Sequence, residues 1–305
     1  VHRNLALAYY NVKKLPQRAY EEMEKAFALD ETDARVYLEL DQLKKRLNVA
    51  VKERWSDMEK HFDLVESRDD LYLEYVTLLN TLGEPEKALG LIKARKFHQW
   101  EGGEGKVAAQ YLTALYQLAK AAVEKEDYAE AKELLLRAVG EYPHNLGEGK
   151  LESGQENNLY YLLGLVQEKL GEAKDAFESL TRACCGESEP VGMMYYNDQP
   201  PEMIYYQGLA YRMLGEEEQA VRRFQKLVDY GREHIRDDVK IDYFAVSLPD
   251  LLIFEENLNE RNRKHCLFMM SLGLKGLGRI DEAEKCAEEL LAMDNAHQEI
   301  RVHDL

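Results

Sequence analysis

Several things are scarce in this sequence, and each shortage closes off a class of protein. Cysteine occurs four times in 305 residues, as Cys184, Cys185, Cys266 and Cys286, with no C-x2-C spacing. That argues against a disulfide framework or a cysteine-built zinc site, and makes a reducing cytoplasm the expected compartment. Basic residues are outnumbered, 40 Lys and Arg against 57 Asp and Glu. A field of that sign repels phosphate backbones and anionic lipid, so neither nucleic acid nor a membrane surface is an expected partner. No apolar run approaches the roughly 18 residues of a membrane span. An initiating Met is missing too. The opening VHRNLALAYY reads as the middle of a helix, so the chain is expected to be the C-terminal part of a longer protein. The H-E-x-x-H, G-x-S-x-G and EF-hand spacings are all absent, and the eight histidines stand singly. No catalytic residue, metal ligand or cofactor is therefore nominated.

What is present is helical periodicity. The clearest stretch is Glu124–Lys150, where Ala131, Leu135 and Ala138 follow a tight turn and Pro143 ends the helix. Small Ala131 and Ala138 let two helices approach, and Leu135 fills the gap between them. The same step recurs at Ala88 and Ile92, at Ala176, Leu180 and Ala183, and at Ala220, Phe224 and Leu227. It returns in weaker form at Ala19 and Met23, and at Ala283, Ala287 and Leu290. Leu82-Gly83, Leu170-Gly171, Leu214-Gly215 and Leu277-Gly278 punctuate the helix pairs, each glycine at a place suited to a left-handed turn.

This pattern resembles the tetratricopeptide repeat (TPR) over nearly the whole chain, although the usual Trp of the first helix is absent. The fold expected is all-α: a TPR-like solenoid of about seven helical hairpins, residues 1–305 forming one unit. Residues 32–65 read as a degenerate second repeat. The alanines Ala88, Ala131, Ala176 and Ala220 lie 43, 45 and 44 residues apart, where the plain repeat takes roughly 34. The surplus follows each second helix, so long loops should project from one edge of the solenoid. A further segment, 231–262, is expected as an insertion between the last two repeats.

Those loops hold the candidate site residues. Gly103-Glu104-Gly105-Lys106 and Gly147-Glu148-Gly149-Lys150 stand one period apart. A phosphate loop is excluded, because the first Gly of G-x4-G-K-[ST] is missing and Val107 and Leu151 follow the lysines. Two readings stay open. In one, the glycines permit positive φ and the glutamates sit near a helix's positive end. In the other, the edge is a recognition surface of His98, Trp100, Glu101, Glu104, Lys106, His144, Asn145, Glu148 and Lys150, extended by Tyr195, Tyr196, Asn197 and Asp198 in the third loop. Glu101 with Glu104, or Glu148 with Glu152, could form an acid–base pair, but carboxylates abound here. No Lys and Asn set for gripping a peptide carboxylate is evident on the first helices.

FHQWEGGEGK, YPHNLGEGK, MYYNDQPPEMIYYQGLA and DYFAVSLPDLLIF together resemble the C-terminal region of a bacterial family of unknown function. Its members begin with a β-sandwich similar to galactose mutarotases and end in TPR-like repeats. The resemblance implies a missing N-terminal domain and an association with carbohydrate chemistry. Three functions follow as expectations. The first is a non-catalytic scaffold docking on its own N-terminal domain or another protein. The second is an accessory part contributing loop residues to a glycan site, and the third a free-standing peptide-binding module.

Overall fold

The structure is a computed structural model that describes residues 1–150, 154–192, 198–240 and 253–303, and every regular element among them is helical. The first hairpin pairs α1 (His2–Leu7), which runs on as a π-helical turn over Ala8–Val12, with α2 (Pro16–Leu29). The second pairs α3 (Ala34–Arg46) with α4 (Val51–Lys60) and the short α5 (Phe62–Glu66). Then come α6 (Asp69–Thr81) with α7 (Pro85–Ala94), and α8 (Lys106–Glu124) with α9 (Tyr128–Val139). The last three are α10 (Asn157–Lys169) with α11 (Ala173–Ala183), α12 (Pro201–Met213) with α13 (Glu217–His234), and α14 (Leu258–Gly276) with α15 (Ile280–Met293). A final short helix, α16, covers Gln298–Val302. The described residues thus form seven hairpins in the register the sequence predicts.

Local chemistry explains the punctuation. Pro16, Pro85 and Pro201 open α2, α7 and α12, where their missing N–H costs no helical bond. Between α6 and α7, Gly83 takes φ of 77°, and Glu84 N–H reaches back to Leu79 C=O at 3.0 Å. This bond ties off carbonyls that the helix end leaves unpaired. Gly171, Gly215 and Gly278 repeat that turn in three later hairpins.

In four of the hairpins an alanine of the second helix sits at the contact: Ala19, Ala88, Ala131 and Ala220 are fully buried, as are Leu135 and Phe224. Phe224 on α13 is wedged between the first helices of two hairpins. A Cβ on Gly208 of α12 would lie 2.4 Å from its ring, and one on Gly276 of α14 only 2.2 Å away. The first helices α6, α8, α10, α12 and α14 pack each on the next and line the concave face.

Helix α13 runs to His234 and α14 starts at Leu258, so the segment between the last two hairpins is shorter at both ends than the expected 231–262. Gly231 lies in α13 against Met270 and the Cys266 carbonyl, and Asn262 lies in α14. The aromatic stretch 241–252 lies outside the described residues.

A closure of the superhelix does not follow from the repeat pattern. Asn11 donates to Ile253 C=O at 2.8 Å and accepts from Glu255 N–H at 2.9 Å, while Phe254 is buried against Tyr10. Asn295 N–H donates to Asn48 Oδ1 at 2.8 Å, and its amide Nδ2 donates to Asn48 C=O at 2.7 Å. The first hairpin therefore meets the stretch just before α14, and the second meets the stretch just after α15.

Candidate functional site

The loop edge brings its two related loops together, chiefly as an internal clamp. Asn145 donates to Ile92 C=O at 2.7 Å and to Arg95 C=O at 2.9 Å, satisfying carbonyls at the end of α7. Its own carbonyl accepts from Phe97 N–H at 2.8 Å. The Glu148 carboxylate accepts from Gly105 N–H at 2.8 Å and Ala108 N–H at 3.0 Å, capping the N-terminus of α8. That helix belongs to the preceding hairpin, so the second loop reaches back over the first. Lys150 donates to Val139 C=O at 2.6 Å and pairs with Glu156 at 2.8 Å. Gly147, at φ of 79°, leaves no room for a side chain, since a Cβ would meet Phe97 C=O at 2.8 Å.

The remaining edge candidates divide. Trp100 is half-buried with its indole folded over Gly103, whose Cβ would lie 2.2 Å from the ring. His98 is exposed and holds Asp69 through its backbone N–H at 2.9 Å and its ring at 3.2 Å. Glu101, Glu104 and His144 are exposed, Lys106 is half-buried in the first turn of α8, and Asp198 is half-buried. Tyr195, Tyr196 and Asn197 lie outside the described residues, as does Glu152. Trp100 is turned onto its own loop, and Asn145, Glu148 and Lys150 have polar atoms engaged within the protein. Asn145→Ala should lower stability by about 1–3 kcal/mol, since it strands buried carbonyls. A urea titration measures this, and an unchanged midpoint would count against the clamp.

The concave face carries a second constellation, and its residues were not nominated from sequence. There Asn80 on α6 donates to Gln110 of α8, at 3.0 Å to its carbonyl and 2.9 Å to its side-chain oxygen. Gln117, two turns on, donates to Asn80 C=O at 2.9 Å. Onto this amide ladder lies the chain's own C-terminal segment. Gln110 donates to Gln298 Oε1 at 2.9 Å, and Gln298 donates to Thr77 C=O at 3.1 Å and the Thr81 hydroxyl at 3.2 Å. Lys120 Nζ donates to Val302 C=O at 2.8 Å. Gln298, Ile300, Val302 and His303 are all buried, whereas Glu299 and Arg301 face outward.

At the far end, a chain of hydroxyls fixes His303. Tyr116 and Tyr206 are 2.6 Å apart at their hydroxyls, and Tyr206 lies 3.1 Å from His303 Nδ1. Burial, reinforced by Lys120 and His297, holds the His303 ring down at about 3, so it stays neutral here. Asn80, Gln110, Gln117 and Lys120 thus form an amide and lysine set on the first helices that holds a glutamine side chain and a backbone carbonyl, a different task from gripping a peptide carboxylate. Asn80, Gln110 and Gln117 share no repeat position, so no periodic signal marks them.

Glu202, in the first turn of α12, is pushed up to about 8 by burial and then by Glu299 on α16. Its ordinary value is 4.5. Between those two values the folded chain binds more proton here than the unfolded chain, so stability falls as pH rises, by at most roughly 1.4 kcal/mol per unit. Glu202→Gln should flatten that slope and raise the urea midpoint at pH 8. Equal slopes for both proteins between pH 5 and pH 8 would contradict it. Among the described residues no cluster of His, Cys, Asp and Glu is arranged to hold a metal ion, and no helix is long and apolar enough to cross a membrane.

The sequence matches the family described as Tetratricopeptide repeat over residues 113–145 and 202–230, which fall on α8–α9 and α12–α13. Similar solved structures include PilW, a widely conserved type IV pilus biogenesis factor, at 13% identity over 75% of this chain and 91% of that one, TM-score 0.39. The TPR domain of P58(IPK) is 18% identical over 98% of this chain and 74% of that one, TM-score 0.35. YrrB, described as a TPR protein with an unusual peptide-binding site, is 17% identical over 80% of this chain and 95% of that one, TM-score 0.29. Scores this low carry no argument about ligands. The hairpins themselves, with the repeat match, establish a helical TPR-type solenoid.

Proposed function

We propose that this tetratricopeptide-repeat chain is a non-catalytic interaction scaffold that docks a folded protein domain on its outer surface. A TPR fold suggests a protein or peptide interaction module, but the fold by itself names no partner. The observation that carries the reading is the filled concave face: with residues 298–303 seated on α6, α8 and α12, a partner meets outward surfaces first. The first hairpin offers an apolar one. Val12 is 74% exposed beside the exposed Leu15 at the α1–α2 turn, and Leu29 is 75% exposed at the opposite end of α2, so the hairpin offers apolar side chains at both of its ends. The occupant we favour is an N-terminal β-sandwich domain of the same protein, which the loop resemblance implies.

Val12→Glu with Leu29→Glu should leave helicity and melting nearly unchanged, because both side chains are already in water. The same pair should abolish association with that domain, followed by calorimetry between separately purified parts. Undiminished association would overturn the docking surface. The glycan reading has less support, since the edge residues Asn145, Glu148 and Lys150 are engaged within the protein.

A further inference from the structure

We propose that the solenoid is a ring with a seam that opens. Asn11, Lys14 and Asn48 form a two-point clasp that holds the first two hairpins against the last one. Release of the clasp converts the closed ring into an open superhelix.

The hairpin turns carry the argument. In every hairpin the second residue after the first helical stretch is left-handed, and Gly83, Gly171, Gly215 and Gly278 take that place in four of them. The other three put a side chain where the backbone disfavours one: Lys14 at φ of 55°, Asn48 at 57° and Glu126 at 59°. Glu126 stands exposed. Lys14 and Asn48 instead both reach the far end of the chain.

At the first point Lys14 pairs with Glu255. Beside it Asn11, placed by the π-helical turn, brackets Phe254: it donates to the carbonyl before that residue and accepts from the N–H after it. Arg46 donates to the Phe254 carbonyl itself at 3.1 Å. At the second point two asparagines cap each other's helices. Asn48 Nδ2 donates to Ala292 C=O in the last turn of α15 at 3.1 Å. Asn295 Oδ1 accepts from the N–H of Val51, the first residue of α4, at 3.2 Å. A glycine at position 48 would relieve the turn and lose every bond of the Asn48 side chain. Strain that is kept where a side chain crosses to a distant element points to a contact with a task.

The seam is also built to part. Its bonds are mostly polar, and water replaces such partners at small net cost. The hairpins, by contrast, hold one another through buried alanine, leucine and phenylalanine. The Phe254 ring, edge-on to Tyr10 at 5.1 Å between centroids, plugs the first point. Residues 298–303 stay in place when the seam parts, because their bonds run to α6, α8 and α12. The clasp stands apart from the outer docking surface proposed above, and the two can fail independently.

Hydrogen exchange of the full chain, resolved to single amides, tests this through Val51, Glu255 and Asn295, whose N–H groups donate across the seam. Asn48→Gly is expected to speed exchange roughly tenfold at Val51 and Asn295, and as much at Glu255, which lies at the other point. Asn11→Ala should act in the reverse direction, speeding Val51 and Asn295 along with Glu255. Exchange within α8 should stay unchanged in both variants. Glu126→Gly, the control, should leave all three amides as they are, because its glycine only relieves a turn. Effects confined to each variant's own point would overturn the proposal, since two separate local contacts would then be acting. So would an unchanged or slowed rate in Asn48→Gly, or an equal acceleration in α8, which would make the seam part of one cooperative core.

Discussion

Arg54→Met is expected to destabilise the chain by about 3–5 kcal/mol, because it breaks a buried ion set while leaving its acids in place. Arg54 on α4 is 1% exposed. It donates to both oxygens of Asp41 on α3, at 3.0 and 2.6 Å, and to Glu74 on α6 at 2.7 Å. One guanidinium thus ties the degenerate second hairpin to the third, where few small-residue contacts occur. Asp41 is itself 4% exposed, and burial already pushes its carboxyl up despite Arg54 beside it. Without the guanidinium Asp41 must take a proton or leave the interior. Arg54→Met combined with Asp41→Asn should recover part of the loss, since the stranded charge is removed with its partner. Urea denaturation of the single and double variants checks this. A loss under about 1 kcal/mol for the single change would show an exposed, weakly coupled pair instead.

Phe224→Ala should lower stability by a similar amount, about 3–5 kcal/mol. Its ring is fully buried and touches α12 and α14 where glycines take the place of side chains. The truncation leaves a void that neither Gly208 nor Gly276 has a side chain to fill. Gly276→Ala attacks the same contact from the other side, and overpacking there should cost about 1–3 kcal/mol. Combining Phe224→Leu with Gly276→Ala should cost less than the sum of the separate changes, because the smaller side chain makes room. Additive losses would show that the two residues do not share one packing site.

The hairpins were legible because each is a local event. Ala131 with Leu135, or Leu214-Gly215, needs only its own turn and its neighbour to be read, and the structure places these where the pattern does. The loop edge was half legible. The repeated Gly-Glu-Gly-Lys marked a structured element, but only geometry shows Glu148 capping a helix and Asn145 closing another. The concave face was not legible at all. Its contacts join Thr77 to Gln298 and Asn48 to Asn295 across more than half the chain. They depend on how a small rotation per repeat accumulates. A repeat period records neighbours and carries no record of where the superhelix closes. The Gln298–Val302 stretch also gives no strong helical signal, since a helix this short takes its form from what it rests on.

Hydrogen exchange of the intact chain, followed by mass spectrometry on peptides spanning 294–303, tests most directly whether the concave face is filled by the chain's own end. The amides of Val302 and His303, which lie in or cap α16, should exchange at least about a hundredfold more slowly than in the isolated peptide, as buried and hydrogen-bonded groups do. Gln298→Ala should speed them without changing exchange in α8. Exchange of 294–303 at the rate of the free peptide, with α6 and α8 still protected, would contradict the filled face.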